Sequence, residues 1–408
     1  MGFHRSERSA RMSPLTPFLL AVALSASERA ATGHEFVLLD RIPLTHGAKV
    51  LGASSGPEVT VYSGHPWAHD KRGAVYAVRL PEGARSELFK GFQPGDRLGS
   101  RILVEEGASG VPTIVVAAHD RVERRTGEHI DWQVCGDRER IFGIALAWVG
   151  DLNGDGDADI AVSQITRHDA PGADLSRGSI HVLSGRSGKE LFARVGTSRA
   201  FGATLLAVPD IDQDGHPELF VGEPDPQRAT LWLCSGRDGR TLGTYGVETQ
   251  RNASLGGYLG LLPDCNEDGL PEVLAIETGP EVRAHVFSMG REVPLRTHVN
   301  DDLFDNYGAC CATGDVDGDG VGDYAIGAPA RNHLLGDPSC EAGEEGCLDR
   351  GRVTVHSGAT GKVLADLFGE GPHVSLGASL LDLGDRDGNG RHELLVQTFH
   401  DWRIYEVR

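Results

Sequence analysis

Short apolar runs alternate with glycine turns and acidic loops along most of the chain, and this recurrence predicts β structure built from a repeated unit. The unit is an aromatic residue or Leu followed by Gly, then an apolar strand, an Asp-rich loop and a second apolar strand. Phe142-Gly143, Phe201-Gly202, Leu255-Gly256, Tyr307-Gly308 and Leu376-Gly377 open five copies. Their loops begin at Asp151, Asp210, Asp264, Asp315 and Asp385, and the strands that follow run through Val162, Val221, Ala275, Ile326 and Val396.

A second piece follows three of these copies: strand, tight Gly turn, strand. It spans residues 178–189, 230–240 and 351–362. The Ser-Gly-x-x-Gly-Lys stretches within it lack the spacing of a phosphate loop and no helix follows, so they read as hairpin turns. Each repeat then supplies four short strands, one propeller blade. Two further copies without an acidic loop lie upstream, Leu98–Val104 leading to Thr113–Ala118 and Gly47–Leu51 leading to Glu58–Tyr62. The predicted fold is all-β, a seven-bladed β-propeller of four-stranded blades. The last unit ends in one strand, Trp402–Arg408, without a partner, and an unattached strand spans Phe36–Ile42. Pairing the two completes the seventh blade with the N-terminal strand and leaves no open edge.

Composition agrees with this picture. Gly makes up 55 of the 408 residues, which points to many turns. The formal net charge of −20 argues against nucleic acid or an anionic membrane as partner. Residues 1–33 read as a signal peptide, with Arg5, Arg8 and Arg11 ahead of the apolar run Pro17–Leu24 and small residues beyond it; Met12 is an alternative start. That run is too short to span a bilayer, and no later stretch has the length and apolarity of a transmembrane anchor. The propeller is expected over 34–408, at a secreted, extracellular or cell-surface location, with the periplasm as an alternative. Of seven Cys, Cys340 and Cys347 sit in one polar insert and suit a local disulfide, while Cys234, Cys265, Cys310 and Cys311 fit buried thiols.

The loops have the chemistry of calcium sites, because Ca²⁺ takes six to eight oxygen ligands in flexible geometry. Side chains at the first, third and fifth positions converge: Asp151, Asn153 and Asp155; Asp210, Asp212 and Asp214; Asp264, Asn266 and Asp268; Asp315, Asp317 and Asp319; Asp385, Asp387 and Asn389. Gly at the sixth position permits a sharp turn, after which the carbonyl of Asp157, His216, Leu270, Val321 or Arg391 can point inward. A closing carboxylate falls at the ninth position, in Asp159, Glu218, Glu272, Asp323 and Glu393. An EF-hand needs its carboxylate at the twelfth, where these loops are apolar, and no helix flanks them. Three or four carboxylates packed together repel one another by several kcal/mol unless a cation joins them, so about five Ca²⁺ are expected.

With Phe142-Gly143, Phe201-Gly202, Gly327-Ala328-Pro329 and the near copy Gly222-Glu223-Pro224, the chain resembles the FG-GAP repeats of integrin α-chain N-termini over about residues 45–400. The resemblance implies a seven-bladed propeller, Ca²⁺ between the first two strands of a blade, and extracellular recognition on the face opposite the metal loops. One copy keeps the full Gly-Ala-Pro, and stand-alone bacterial secreted proteins with FG-GAP or VCBS-type repeats are the nearer likeness. No nucleophile elbow or zinc-protease helix is present, and His181, His285 and His356 lie in strands. The reading is a monomeric, non-enzymatic adhesion or recognition module for a protein or glycan. The alternatives are a lyase-like polysaccharide-active enzyme and a scaffold for surface display. Trp67, Trp132, Trp148, Trp232 and Trp402 fit core positions better than sugar stacking, and Asn252 opens a glycosylation sequon.

Overall fold

A computed structural model describes residues 34–43, 49–53, 59–80, 82–105, 111–136, 140–166, 177–225, 228–248, 253–299, 308–329, 350–370 and 374–408. The signal segment, Tyr307, Asn252 and the Cys340/Cys347 pair lie outside the described residues. Seven antiparallel sheets of four strands form the blades. Blade 1 comprises Lys49–Ala53, Thr60–His65, Ala74–Arg79 and Ala84–Lys90, and blade 2 Arg101–Glu105, Thr113–Ala117, Arg121–Thr126 and His129–Cys135. Blade 3 comprises Arg140–Trp148, Ile160–Thr166, Ser179–Leu183 and Glu190–Val195, and blade 4 Thr204–Val208, Glu218–Asp225, Arg228–Cys234 and Thr241–Gly246. Blade 5 comprises Ser254–Leu261, Val273–Thr278, Arg283–Phe287 and Arg296–Val299, and blade 6 Ala309–Gly314, Asp323–Ala328, Arg352–His356 and Val363–Phe368. Blade 7 takes Leu380–Asp382, Glu393–Gln397 and Asp401–Val407 from the end of the chain and its fourth strand, Phe36–Pro43, from the beginning.

The closing pair is antiparallel, with Phe36 opposite Val407 and Ile42 opposite Trp402, as the sequence predicts. First strands of successive blades contact one another around the whole ring, including blade 7 to blade 1. Second strands are sandwiched by their neighbours, which explains their near-continuous apolar runs such as the fully buried stretch Asp323–Ala328. Fourth strands are more exposed than the second strands and several carry charges, as in Ala84–Lys90 and Glu190–Val195, which protects the outer edge from pairing with other chains. Seven hydrophobic clusters fill the interfaces, one between each pair of blades. The cluster at the closure packs Val61 and Val78 of blade 1 on Trp402 and Ile404 of blade 7.

Blade spacing is set by backbone contact at glycines. In the aromatic/Leu–Gly pairs other than that of Gly308 the Gly has positive φ, +80° at Gly143, +85° at Gly202 and +90° at Gly99, Gly256 and Gly377. Each presses on the second strand of the preceding blade. A Cβ on Gly222 would lie 2.1 Å from the Gly256 carbonyl oxygen, and one on Gly327 would lie 2.3 Å from that of Gly377. The same Gly also donates its N–H to a second strand of its own blade, as Gly202 does to Gly222 and Gly377 to Gln397, both at 3.0 Å. The two halves of the repeat motif therefore meet across the blade boundary.

Gly256→Ala should cost about 2 kcal/mol or more, from positive φ and contact with Leu231 2.6 Å away. Its neighbour Gly257 is exposed with open space around it, so Gly257→Ala should stay within about 0.5 kcal/mol of the parent. Denaturant unfolding of the two variants checks both; equal losses would exclude the backbone-contact account.

Candidate metal loops

All five acidic loops connect the first and second strands of a blade and so lie on one face of the disc. They wind in the same way. The first Asp accepts backbone N–H groups from the fifth and sixth residues in the loops of blades 3, 5, 6 and 7: Asp155 and Gly156 on Asp151, Asp268 and Gly269 on Asp264, Asp319 and Gly320 on Asp315, Asn389 and Gly390 on Asp385. Asp210 does the same for Asp214 and Gly215 in blade 4. The fifth side chain then accepts the N–H of the seventh residue, from Asp157, His216, Leu270, Val321 and Arg391. The fourth position is Gly154, Gly318 or Gly388 at positive φ; Gln213 and Glu267 hold the same left-handed conformation at +59°.

The closing residues Asp159, Glu218, Glu272, Asp323 and Glu393 are all buried. In blades 3 to 6 the carboxylate accepts the backbone N–H of the second loop residue, as Leu152 gives to Asp159 at 2.9 Å and Val316 to Asp323 at 2.7 Å. Carboxylate oxygens gather within 4.8 Å of one another in three loops: Asp210, Asp212, Asp214 and Glu218; Asp264, Asp268 and Glu272; Asp315, Asp317 and Asp323. Such all-oxygen, multiply charged sets could hold a divalent cation of the calcium type.

The loops of blades 3 and 7 do not gather their carboxylates this closely, although arginine and Asn contacts also reach the other loops, as Arg240 does Asp212 at 2.6 Å and Asn266 does Glu272 at 2.8 Å. In blade 3, Asp157 faces Arg186 at 3.2 Å and Arg124 at 3.4 Å, while Asn153 donates to Asp159 at 3.3 Å. In blade 7 the second residue is Arg386, and its Nε lies 3.0 Å from Glu393. Asn389 there donates to Glu406 at 2.6 Å.

A support that sequence reading missed comes from the turn between third and fourth strands. Gly185 donates its N–H to Asp159 and Gly358 to Asp323, while Ser184 and Ser288 donate hydroxyls to Asp155 and Asp268. A Cβ on Gly185 would sit 1.9 Å from the Ala158 carbonyl. The recurring Ser-Gly was visible in the sequence, but as a turn signal alone; its second duty is to brace the acidic loop. Of the tryptophans, Trp402 is fully buried and Trp132 donates to the Gly185 carbonyl at 2.6 Å, whereas Trp67 is exposed. Cys234, Cys265, Cys310 and Cys311 are buried free thiols, and His356 stacks on Tyr324 with its pKa pushed down to about 3 by burial.

No family model matches the chain. It is 28% identical to Xenopus laevis integrin alpha-5 over 222 residues, which cover 48% of this chain and 19% of that protein. It is 27% identical to Mus musculus integrin alpha-3 over 194 residues, 40% of this chain and 18% of that one. A stretch of 89 residues is 39% identical to human integrin alpha-IIb, 20% of this chain and 8% of that one. The propeller is integrin-alpha-like. The matched region amounts to less than a fifth of each of these relatives. A crystal structure of BBS1N in complex with ARL6DN shares the fold, with TM-score 0.57 and 12% identity over 91% of this chain and 96% of that chain.

The loop electrostatics have a pH consequence. Burial, reinforced by Asp210 and Asp212, pushes Glu218 from 4.5 up to about 7, and burial with Asp264 and Asp268 does the same to Glu272. A carboxylate whose folded pKa is raised favours the fold at low pH and loses that contribution as pH rises towards the folded value. In chelator, the melting temperature should therefore fall between about pH 5 and pH 7, and saturating Ca²⁺ should flatten the slope. Thermal scans across that range check it; a metal-free melting temperature that rises with pH would contradict it.

Proposed function

We propose that this chain is an exported, non-enzymatic recognition module, stiffened by Ca²⁺ in its acidic loops, that meets an extracellular protein or glycan on the opposite face. The observation that carries the reading is the side-chain content of that opposite face, where the turns between second and third strands and the links between blades lie. Trp67 is 53% exposed there, Phe92 62% and Phe399 50%. Arg97 stacks on Trp67 at 4.5 Å, and Arg125 lies 5.6 Å from the Phe92 ring. Arg125 is buried beneath that ring and Arg97 half-buried, and exposed aromatic rings backed by arginines are the composition of interface hot spots.

The same turn is strained. His69, Asp70 and Lys71 follow Trp67 with φ of 51°, 56° and 66°. A left-handed conformation costs a non-glycine residue about 1–2 kcal/mol. The neighbouring link overrides that cost, as Gly95 and Arg97 both donate N–H groups to the Lys71 carbonyl at 3.0 Å. Strain held by surrounding structure is characteristic of binding elements. Among the described residues no helix is long and apolar enough to cross a membrane, and residues 1–33 serve as the export signal in this reading.

Blades 4, 5 and 6, with their gathered carboxylates, are the preferred calcium sites. In blade 7 the Arg386 guanidinium neutralises Glu393 and competes with a divalent ion. Native mass spectrometry should show fewer than five tightly held Ca²⁺ ions, and Arg386→Leu should add one. A chelator should lower the melting temperature, since each site filled at 100 times its dissociation constant contributes about 2.7 kcal/mol. An unchanged melting temperature would remove calcium from the account.

The recognition face is tested on glycan and matrix-protein arrays, with Ca²⁺ and with chelator. The double variant Trp67→Ala, Phe92→Ala should lose about tenfold or more in affinity for any ligand found, at unchanged melting temperature. Retained affinity would place the ligand elsewhere.

A further inference from the structure

The turn between the second and third strands of blade 1, residues 66–73, and the link towards blade 2, residues 91–98, form one surface. Backbone bonds lace them together: Gly95 and Arg97 donate to the Lys71 carbonyl and Leu98 to that of Arg72, all at 3.0 Å. The two segments carry three strongly basic side chains, Lys71, Arg72 and Arg97, and two carboxylates, Asp70 and Asp96. Asp96 is buried and committed inward, to Arg121 at 3.1 Å and to the N–H groups of Phe92 and Gln93. Glu87, which His69 of the turn reaches at 2.6 Å, also accepts the Tyr76 hydroxyl at 2.9 Å. Among the described residues, no ion pair engages Lys71, Arg72 or Arg97.

A local surplus of free cations runs against the net charge of −20. Solubility does not require it, since a chain so charged already repels its copies. Lys71 is exposed, and Arg72 and Arg97 are half-buried. Arg97 stacks on Trp67, and a guanidinium held against an aromatic face keeps its N–H edge for a carboxylate. The exposed Trp67 and Phe92 rings add apolar area beside these cations. The complementary partner therefore mixes carboxylates with apolar side chains, as a peptide does. An acidic polysaccharide brings charge along its whole length and little apolar surface, and the rest of this acidic chain repels it.

We propose that the surface between blades 1 and 2 docks an acidic peptide segment of a partner protein. Its carboxylates meet Lys71, Arg72 and Arg97, and its apolar side chains cover Trp67 and Phe92. The assignment builds on the recognition face of Trp67 and Phe92 and gives that face an anionic protein ligand.

Fluorescence anisotropy on the calcium-loaded full chain tests it with three labelled probes. They are an octapeptide alternating Glu and Leu, the same peptide with Gln for Glu, and a hyaluronan octasaccharide. The acidic peptide should bind saturably, about tenfold or more tighter than either of the others. Raising NaCl from about 50 to about 300 mM should weaken it several-fold, because exposed charges are screened. Lys71→Glu with Arg97→Gln should weaken it about tenfold or more. Lys71→Glu alone, at an exposed side chain, should cost about threefold at unchanged melting temperature, which separates lost recognition from lost folding. Lys362→Glu, an exposed reversal on the metal-loop face, should leave the affinity as it is. Equal binding of the Glu and Gln peptides, lost in Trp67→Ala, would keep the recognition face and overturn the acidic partner. Tighter binding of hyaluronan, no saturable binding of the acidic peptide, or wild-type affinity in both Lys71 variants also overturns the proposal.

Discussion

Seven twisted sheets stand around one axis only if each inner strand approaches its neighbour closely enough to leave no void in the wedge between them. Here that approach reaches backbone contact, at Gly64 against Gly99, Gly222 against Gly256 and Gly327 against Gly377. Any side chain at these points would hold neighbouring blades apart, and a small error repeated round the ring would prevent closure. Where the second strand offers Ala117 or Ser163 in place of Gly, the opposing residue is still a glycine, Gly143 or Gly202. The apolar clusters between blades depend on that spacing, because close packing is lost when facing side chains separate by even a fraction of an ångström.

The acidic loops depend on the same frame in a different way. Their first two strands fix the ends of a nine-residue winding, and in blades 3 and 6 the turn between strands three and four braces the closing carboxylate. The winding itself is held by backbone N–H groups directed at the first, fifth and ninth side chains. Backbone groups thus help to collect the carboxylates, and their burial and mutual repulsion push Glu218 and Glu272 up. Arg386 and Arg186 show the alternative to a metal, a side-chain cation placed beside the acidic loop. A repeat architecture can make that exchange in one blade without disturbing the next.

Much of the architecture was legible in the sequence because it is repeated. Strand pairing, blade count and the closure of Phe36–Ile42 on Trp402–Arg408 followed from apolar spacing and the absence of a partner strand. Loop positions were legible because side chains that alternate along a loop must converge. The differences between loops were not. Arg386 is one substitution at a position that is otherwise Leu152, Ile211, Cys265 or Val316, and only its distance to Glu393 shows what it does. Trp67 gave no sign of its exposure, because an aromatic residue after a strand looks the same whether it turns inward or outward. The meeting of the blade 6 and blade 7 loops, with Asp315 and Asp317 opposite Asn389 and Arg391 across one cavity, joins residues more than 70 positions apart, and no local pattern signals it.

The pairing of Phe36–Pro43 with Asp401–Val407 also governs how the molecule assembles. Nearly the whole chain lies between the two partners, so this contact has the greatest sequence separation in the fold and the largest loop-closure entropy. Until it forms, the apolar flanks of blades 1 and 7 lack their shared cluster and the outer edge of Asp401–Val407 is open. Such topologies fold slowly and expose adhesive surface while they do so. Once the last strand docks, that order is reversed: local fraying must break a long-range pair and open a filled interface at the same time. The ring is slow to close and, for the same reason, slow to come apart.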